Sequence, residues 1–202
     1  MKNYKKIKIN IKKWYAKQKK EIKAGAPFCA SNGVRIDNPT KEQRAAELRR
    51  IDKQEAAKLA ELDRIATAPA VRCISISTEW KKSRMWGNNP HTVAAVFTDT
   101  EAARYFGRAS GCGYDKYSAA VTQALNACDS VRRLIIENYN KLYKKMEHNG
   151  CYIYFDIIPA LATSGSGINA VKKVLTECGL TVRNEYCGKK EDFLEFSNIK
   201  KY

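Results

Sequence analysis

The chain has 202 residues, of which 44% are hydrophobic and 29% charged, which is typical of one globular domain with an appendage or of two very small domains. Its 37 Lys and Arg residues against 21 Asp and Glu residues give a net charge of +16. This excess favours nucleic acid, an anionic membrane or an acidic protein surface as the partner. The sequence contains neither a secretory signal nor an apolar run long enough to cross a membrane, so we expect a cytoplasmic protein without a membrane partner.

Seven cysteines are spaced irregularly along the chain, and their odd number does not suit an extracellular disulfide framework. No C-x-x-C pair occurs, and His91 and His148 are both isolated from any pair of cysteines. A zinc site assembled across the fold is the alternative, but no ligand spacing supports it. We therefore predict no metal and no cofactor, and we interpret the cysteines as buried, reduced thiols.

The first 23 residues contain ten lysines and one glutamate, so +9 of the net charge lies in this basic arm. Ile7, Ile9 and Ile11 alternate with polar residues as in a strand. Ile7 and Ile11 also fit one side of a helix together with Trp14 and Ile22, so both periods remain open. Because like charges repel and the apolar content is low, the isolated arm is expected to be disordered.

Residues 24–40 contain two glycines and two prolines and are interpreted as a linker. Thr40 is a suitable N-cap for a long helix over residues 41–66, where Ala, Leu, Glu, Lys and Arg predominate. The apolar side of this helix contains Leu48, Ile51, Leu59, Leu62 and Ile65. A coiled coil would need apolar residues at Glu55 and Lys58 as well, so we expect the helix to dock on a domain.

Pro69 ends the long helix, and the remaining sequence alternates between strand and helix patterns. We predict strands at 71–77, 92–98 and 103–109, a helix from 115 or 118 to 147 that kinks between 126 and 130, a strand at 151–158, a loop at 159–167, a helix at 168–178, and strands at 181–186 and 192–197. The order α-β-β-β-α-β-α-β-β predicts an α+β fold with a mostly antiparallel sheet and packed helices. The predicted organisation is a basic arm and linker over 1–40, one domain over 41–197 and a tail over 198–202.

Two segments combine dense positive charge with aromatic rings, as nucleic-acid-binding surfaces do. Ammonium groups gain affinity for phosphates by releasing counterions, and indole rings stack on bases or anchor a protein partner. The predicted contact residues are Lys5, Lys6, Lys8, Lys12, Lys13, Trp14, Lys17, Lys19 and Lys20 in the arm, and Trp80, Lys81, Lys82, Arg84 and Trp86 just past a strand. The alternatives are a solubilising tail for the arm, and core tryptophans with a solvated rim for the second segment.

The turn Gly111-Cys112-Gly113-Tyr114-Asp115-Lys116 opens a helix, where free N–H groups and the helix dipole can meet a phosphate. No Gly-Lys-Ser/Thr follows it, so it is not a P-loop. The segment Gly165-Ser166-Gly167 before the next helix is a weaker example. Turns of this composition are mostly structural, which is the interpretation we favour for both.

Residues 41–127 resemble a double-stranded-RNA-binding domain in their order α-β-β-β-α, with Gly111-x-Gly113-x-Asp115-Lys116 leading into a helix that contains Ala119-Ala120 and Ala124-Leu125. That family has a lysine cluster at this helix start, which bridges phosphates across a groove. The resemblance therefore implies a phosphate contact for Lys116. The chain departs from the family here, because Tyr117 and Ser118 follow in place of further lysines.

A second resemblance depends on Ile74-Ser75-Ile76-Ser77, Glu79-Trp80-Lys81-Lys82-Ser83-Arg84, Trp86-Gly87, Ala109-Ser110-Gly111-Cys112-Gly113-Tyr114-Asp115-Lys116, Gly165-x-Gly167-x-Asn169 and Cys178-Gly179. Through these motifs, residues 71–197 resemble a family of small proteins from phages and mobile elements of gut Firmicutes. Some proteins from such elements are similar in size and charge to type II anti-CRISPR proteins, which bind the guide-loaded effector nuclease and sometimes DNA. The resemblance implies a CRISPR-Cas effector ribonucleoprotein as the partner, and its motifs have no known catalytic meaning.

An enzymatic interpretation depends on Glu79-x-Lys81, which resembles half of a restriction-type nuclease site. Such a site needs an aspartate on a neighbouring strand so that two carboxylates hold Mg²⁺. Asp63 is predicted on a helix and Asp99 in a turn, so neither is suitable.

Our leading hypothesis is a non-enzymatic phage or mobile-element protein that binds nucleic acid or a nucleoprotein complex. Its most specific form is an anti-CRISPR inhibitor. A free-standing DNA- or RNA-binding protein is the alternative, and a Mg²⁺-dependent nuclease is less favoured.

Overall fold

The computed structural model describes residues 2–82, 90–98, 101–109, 116–146, 150–154, 157–163 and 167–186. Helices and small sheets together form an α+β fold, which confirms the predicted fold class. The contacts divide the chain into two compact units, Met1–Thr67 and Ala68–Tyr202.

The first unit is a pair of helices joined by a small β-hairpin. Its elements are α1 (Lys2–Lys23), β1 (Phe28–Cys29), β2 (Arg35–Ile36) and α2 (Lys41–Thr67), with β1 and β2 antiparallel. The start of α2 is fixed by a reciprocal cap, in which the Gln43 N–H donates to Thr40 Oγ1 at 3.2 Å and the Thr40 N–H donates to Gln43 Oε1 at 2.9 Å. The N-cap predicted at Thr40 is therefore confirmed.

The apolar residues of the basic arm follow the helical period and not the strand period. The buried apolar residues of α1 are Tyr4, Ile7, Ile11, Tyr15 and Ile22, which recur at helical spacing, whereas Ile9 is 52% exposed. Trp14, which the helical interpretation placed on the apolar side, is 42% exposed, and Tyr15 takes the buried position instead. Within the whole chain the arm is a helix, because α1 packs on α2 and its apolar side chains have a surface to cover.

The grouping of the long helix differs from the predicted organisation. The sequence placed residues 41–66 in one domain with the sheet and separated them from the arm at residue 40. The contacts instead group α2 with α1 in the unit Met1–Thr67. Ile51, Leu62 and Ile65 of α2 are almost completely buried, and they supply the apolar surface that α1 needs.

The second unit contains a four-stranded sheet, a two-stranded sheet and four helices in its described part. In chain order its elements are β3 (Cys73–Lys82), β4 (Pro90–Thr98), β5 (Glu101–Ala109), α3 (Lys116–Asn126), α4 (Asp129–Glu137), α5 (Tyr139–Met146), β6 (Cys151–Tyr154), β7 (Ala160–Thr163), α6 (Gly167–Glu177) and β8 (Thr181–Tyr186). The larger sheet has the order β5-β4-β3-β8, in which β8 is parallel to β3 and the other pairs are antiparallel. Strands β6 and β7 form a separate antiparallel ribbon.

Several features of this unit differ from the sequence prediction. The strand predicted at 151–158 ends at Tyr154, and the predicted helix breaks a second time at Asn138. Residues 160–163 were expected to be a loop, yet they form β7, since Asn126 joins this strand to the end of α3. The Asn126 side chain donates to the Leu161 carbonyl at 2.8 Å and accepts from the Leu161 N–H at 2.7 Å. Strand β3 is also longer than expected and runs past residue 77 to Lys82. The predicted kink between 126 and 130 is confirmed as the break between α3 and α4, whereas the strand predicted at 192–197 lies outside the described residues.

The core of the second unit lies between the larger sheet and the helices that follow it. Its completely buried members include Ile74, Ile76, Val96, Val121, Leu125, Ile135, Val171, Val174 and Leu175. Cys73, Cys128 and Cys151 are buried cysteines outside any disulfide and Cys178 is half-buried, whereas Cys29 in the first unit is exposed. Burial raises the pKa of both Cys151 and Cys178 to about 11, so these thiols stay protonated near neutral pH.

We predict that Ile11→Ala destabilises the first unit by about 2–5 kcal/mol, because Ile11 is 1% exposed and a cavity would remain. Ile9→Ala is the matched control and should change stability by less than about 0.5 kcal/mol, because Ile9 is 52% exposed. Urea denaturation followed by helical circular dichroism measures both. A strand period places Ile9 and Ile11 on one face, so equal effects of the two substitutions would contradict the helical hairpin.

Candidate nucleic-acid interface

Seven lysines of α1 lie on the sides of the helix that α2 does not cover. Because the apolar stripe is buried, the polar positions around the rest of the helix point to solvent. The exposed lysines, called the lysine face below, are Lys5, Lys6, Lys12, Lys13, Lys17, Lys20 and Lys23. Glu21 is the one acidic residue of α1, and its carboxylate lies 3.9 Å from Lys17 Nζ.

The spacing within the lysine face makes a nearly straight row. Lys6, Lys13 and Lys20 are seven residues apart, which is about 10.5 Å along a helix and within about 20° of two full turns. Three ammonium groups therefore project in nearly the same direction over roughly 21 Å. The remaining four lysines flank this row. A surface of this kind presents a line of positive charges, which suits the phosphate backbone of a nucleic acid.

Lys8 and Lys19 do not belong to the lysine face, although the sequence grouped them with it. Lys8 Nζ lies 2.7 Å from Asp63 Oδ1, and Lys19 Nζ lies 2.5 Å from Asp52 Oδ1 and 2.6 Å from Glu55 Oε2. The hydrogen bonds to Asp52 and Glu55 raise the pKa of Lys19. In this structure, carboxylates of α2 therefore hold these two ammonium groups, and the ion pairs connect the two helices.

Trp14 is the large aromatic side chain that α1 exposes beside the lysine face. Its ring meets the ring of the buried Tyr15 edge to face, with the centroids 4.7 Å apart and the planes at 87°. This contact orients the indole, while 42% of the residue stays accessible. The structure therefore leaves part of the Trp14 ring exposed on the helix that carries the lysine face.

The second predicted segment falls partly outside the described residues. Trp80, Lys81 and Lys82 form the end of β3, where they pair with Thr92, His91 and Pro90 of β4. The backbone here is still strand, whereas the sequence placed these residues just past one. The side chains of these three residues lie outside the described part of the structure, and so do residues 83–89, which include Arg84 and Trp86.

The two glycine-containing turns can be followed only at their helical ends. Lys116 begins α3, and its side chain and residues 110–115 lie outside the described part. At the start of α6, the Ile168 N–H donates to the buried Ser118 Oγ at 2.9 Å. A serine hydroxyl thus occupies the position that an anion would take at this amide, which supports the structural interpretation of the turn that contains Gly167.

A cavity of about 290 Å³ lies in the first unit between the end of α1, β1 and α2. Its charged wall includes Glu47, which is buried and accepts a hydrogen bond from Arg50 Nε at 2.7 Å. Since Arg50 already neutralises Glu47, this cavity presents no uncompensated buried charge to a ligand. The lysine face carries more uncompensated charge than this cavity.

Comparison of the chain with known protein families, with curated proteins and with solved structures finds no match. Within the described part of the chain, no helix has the length and apolar content to cross a bilayer, and no three His, Cys, Asp or Glu side chains gather to bind a metal. The surfaces of the protein itself are therefore the basis of the functional conclusion.

Lys23 is the member of the lysine face that the sequence prediction left out. It is exposed in the last turn of α1 and lies on the same side as Lys5 and Lys12. A helical wheel of residues 2–23 includes Lys23, but the sequence alone leaves the strand period open. The choice of period was therefore the missing signal.

We predict that Lys19→Gln lowers the stability of the first unit by about 0.5–1 kcal/mol, because two ion pairs with α2 are lost. The pKa of Lys19 is raised in the folded state, so this contribution is complete below the unfolded value of 10.5 and is lost as pH rises through the folded value. The stability difference between wild type and Lys19→Gln should therefore shrink above about pH 10.5. Lys20→Gln, on the lysine face, is the control, and an equal loss of stability in both variants would show that the ion pairs do not matter.

Proposed function

We propose that the protein binds nucleic acid, or a complex that contains nucleic acid, without catalysing a reaction, and that the lysine face of α1 makes the contact. The observation that supports this proposal is that the lysines of α1 form two groups, one exposed to solvent and one paired with carboxylates of α2. Seven are exposed beside a single acidic residue, while Lys8 and Lys19 are neutralised by α2. A solubilising tail does not need its lysines to be separated in this way.

The geometry of α1 suits the backbone of a duplex better than its base edges. The helix of 22 residues is about 33 Å long, close to one turn of B-form DNA at about 34–36 Å. Lysine ammonium groups contact phosphates as point charges and carry little sequence information. We therefore expect affinity that is independent of base sequence and falls steeply with salt. Trp14 adds one ring that can stack on a base or anchor a protein partner.

The sharper form of the proposal is that this nucleic acid belongs to a type II CRISPR-Cas effector complex, which the protein inhibits. Its support is the resemblance of residues 71–197 to small phage and mobile-element proteins. The lysine face would then occupy a channel that tracks phosphates, and so would block DNA loading or the later step that licenses cleavage.

The alternative is a free-standing DNA- or RNA-binding protein. The arrangement of β3, β4 and β5 as an antiparallel sheet with α3 packed on β4 and β5 favours this alternative, because it matches the β-β-β-α part of the order seen in double-stranded-RNA-binding domains. In the described structure β8 adds a fourth strand beside β3.

We predict that replacing Lys6, Lys13 and Lys20 together by Gln weakens duplex binding and flattens its salt dependence. Each phosphate contact that is lost lowers the slope of log K against log salt by about 0.9, so the slope should fall by about 2.7 for three contacts. Fluorescence anisotropy with a labelled duplex over a range of salt concentrations measures both quantities.

The matched control is a triple variant of Lys41, Arg49 and Lys53 to Gln, which removes the same charge from exposed positions of α2. It should keep most of the slope and affinity. Equal losses in both triple variants would show that net charge, and not the lysine face, determines binding. Absence of duplex binding by the wild-type protein at low salt would overturn the proposed function.

We predict that the protein blocks plasmid cleavage by a guide-loaded type II effector nuclease, and that the Lys6/Lys13/Lys20 variant needs at least about tenfold more protein for the same inhibition. Cleavage is measured on agarose gels with the protein added before the target DNA. As a control for nuclease activity of the protein itself, incubation with plasmid and Mg²⁺ but without the effector nuclease should give no nicking. The Glu79→Ala variant should give the same result as wild type. Unaffected cleavage together with retained duplex binding would favour the free-standing alternative.

A further inference from the structure

The lysine face contains a second row of lysines beside the row of Lys6, Lys13 and Lys20. The members of this second row are Lys5, Lys12 and Lys23. Lys12 follows Lys5 by two turns and precedes Lys23 by three turns, each to within about 20°, so the second row is also nearly straight. Successive residues of a helix are about 100° apart around its axis, which is the separation between Lys5 and Lys6 and between Lys12 and Lys13. The lysine face is thus divided along its length into two rows.

The strip between the two rows has no charged side chain in the described structure. Ile9 lies three or four residues from the first two lysines of each row, so it has a pair of lysines on either side. It is 52% exposed, and Ala16, seven residues further along, is exposed as well. One chain of phosphates along the middle of the face would lie over these apolar side chains. Two chains, one on each side, would both lie over lysines.

The carboxylates that border the two rows are already paired. Lys8 and Lys19, which lie within one turn of members of the second row, hold three carboxylates of α2 at 2.5 to 2.7 Å. On the other border of the lysine face, the carboxylate of Glu21 lies 3.9 Å from Lys17 Nζ. Because these acidic groups are compensated, phosphates can approach either row without meeting an unpaired carboxylate at its edge.

The separation of the rows is comparable to the width of a duplex groove. On a helix about 10–12 Å in diameter, two rows about 100° apart are roughly 8 Å from each other. The grooves of B-form DNA are about 6 and 12 Å wide, and phosphates of opposite strands border each of them. The flexible four-carbon stem of lysine lets each ammonium group reach outward from its row. A helix lying along a groove can therefore contact one strand with each row.

We propose that the lysine face of α1 straddles one groove of a duplex, with each row contacting the phosphates of a different strand. This inference rests on the proposed function and deepens it, since it names a double-stranded nucleic acid as the ligand. A single strand has one line of phosphates and therefore engages one row at a time.

The test compares two labelled probes, a duplex of about 12 base pairs, which is roughly one turn, and dT12, which does not pair with itself. Fluorescence anisotropy over a range of salt concentrations gives the slope of log K against log salt for each. The first-row variant replaces Lys6, Lys13 and Lys20 by Gln, as above. The second-row variant combines Lys5→Gln, Lys12→Gln and Lys23→Gln, which removes the same charge from exposed positions. Circular dichroism checks that both variants are folded.

On the duplex, we expect each variant to lower the slope by about 2.7, since three phosphate contacts with one strand are lost. On dT12, each variant should change the slope by less than about 0.7, the value of one contact with a single strand, because the remaining row binds the strand instead. The triple variant of Lys41, Arg49 and Lys53 on α2, which loses as much charge, should keep most of its slope on both probes.

Two results would overturn this inference while the proposed function stands, because duplex binding persists in both. A second-row variant with the wild-type slope on the duplex would show that one row makes all the contacts. A fall of about 2.1 on dT12 in both variants, which is three contacts at about 0.7 each, would show that both rows converge on one strand. Absence of duplex binding by the wild-type protein at low salt would overturn the inference and the proposed function together.

Discussion

The burial of one side of α1 against α2 is the constraint on which the rest of the first unit depends. Ten lysines among 23 residues repel one another, so we expect this segment not to fold without a surface that its few apolar residues can cover. Packing on α2 buries Tyr4, Ile7, Ile11, Tyr15 and Ile22, and each large side chain contributes about 1.5–3 kcal/mol on full burial. Once this stripe is fixed, the helical period decides where every lysine points. The positive surface is therefore a consequence of hydrophobic packing.

The electrostatics of the hairpin follow from the same packing. Residues 41–67 contain seven basic and six acidic residues, so α2 is nearly neutral while α1 is strongly positive. Three carboxylates of α2, those of Asp52, Glu55 and Asp63, lie where Lys8 and Lys19 reach them. Exposed ion pairs of this kind contribute little to stability, but they remove charge from the border between the helices. The uncompensated charge that remains is concentrated on the outer side of α1, where a polyanion can approach without meeting carboxylates of the same helix other than Glu21.

Local signals in the sequence were enough to predict local structure. The features that the sequence left open depend on tertiary contacts. The cap at Thr40 and the composition of residues 41–66 were enough to place α2, since both act within one helix. The choice between strand and helix for Ile7, Ile9 and Ile11 was undetermined, because it depends on α2 as the covering surface. Trp14 and Tyr15 are neighbours of similar character, so only packing selects which one is buried. The strand β7 has no clear pattern of its own and is held by the side chain of Asn126 from a distant helix. The lysine segment was found from charge alone, but its division into exposed and paired lysines required the structure.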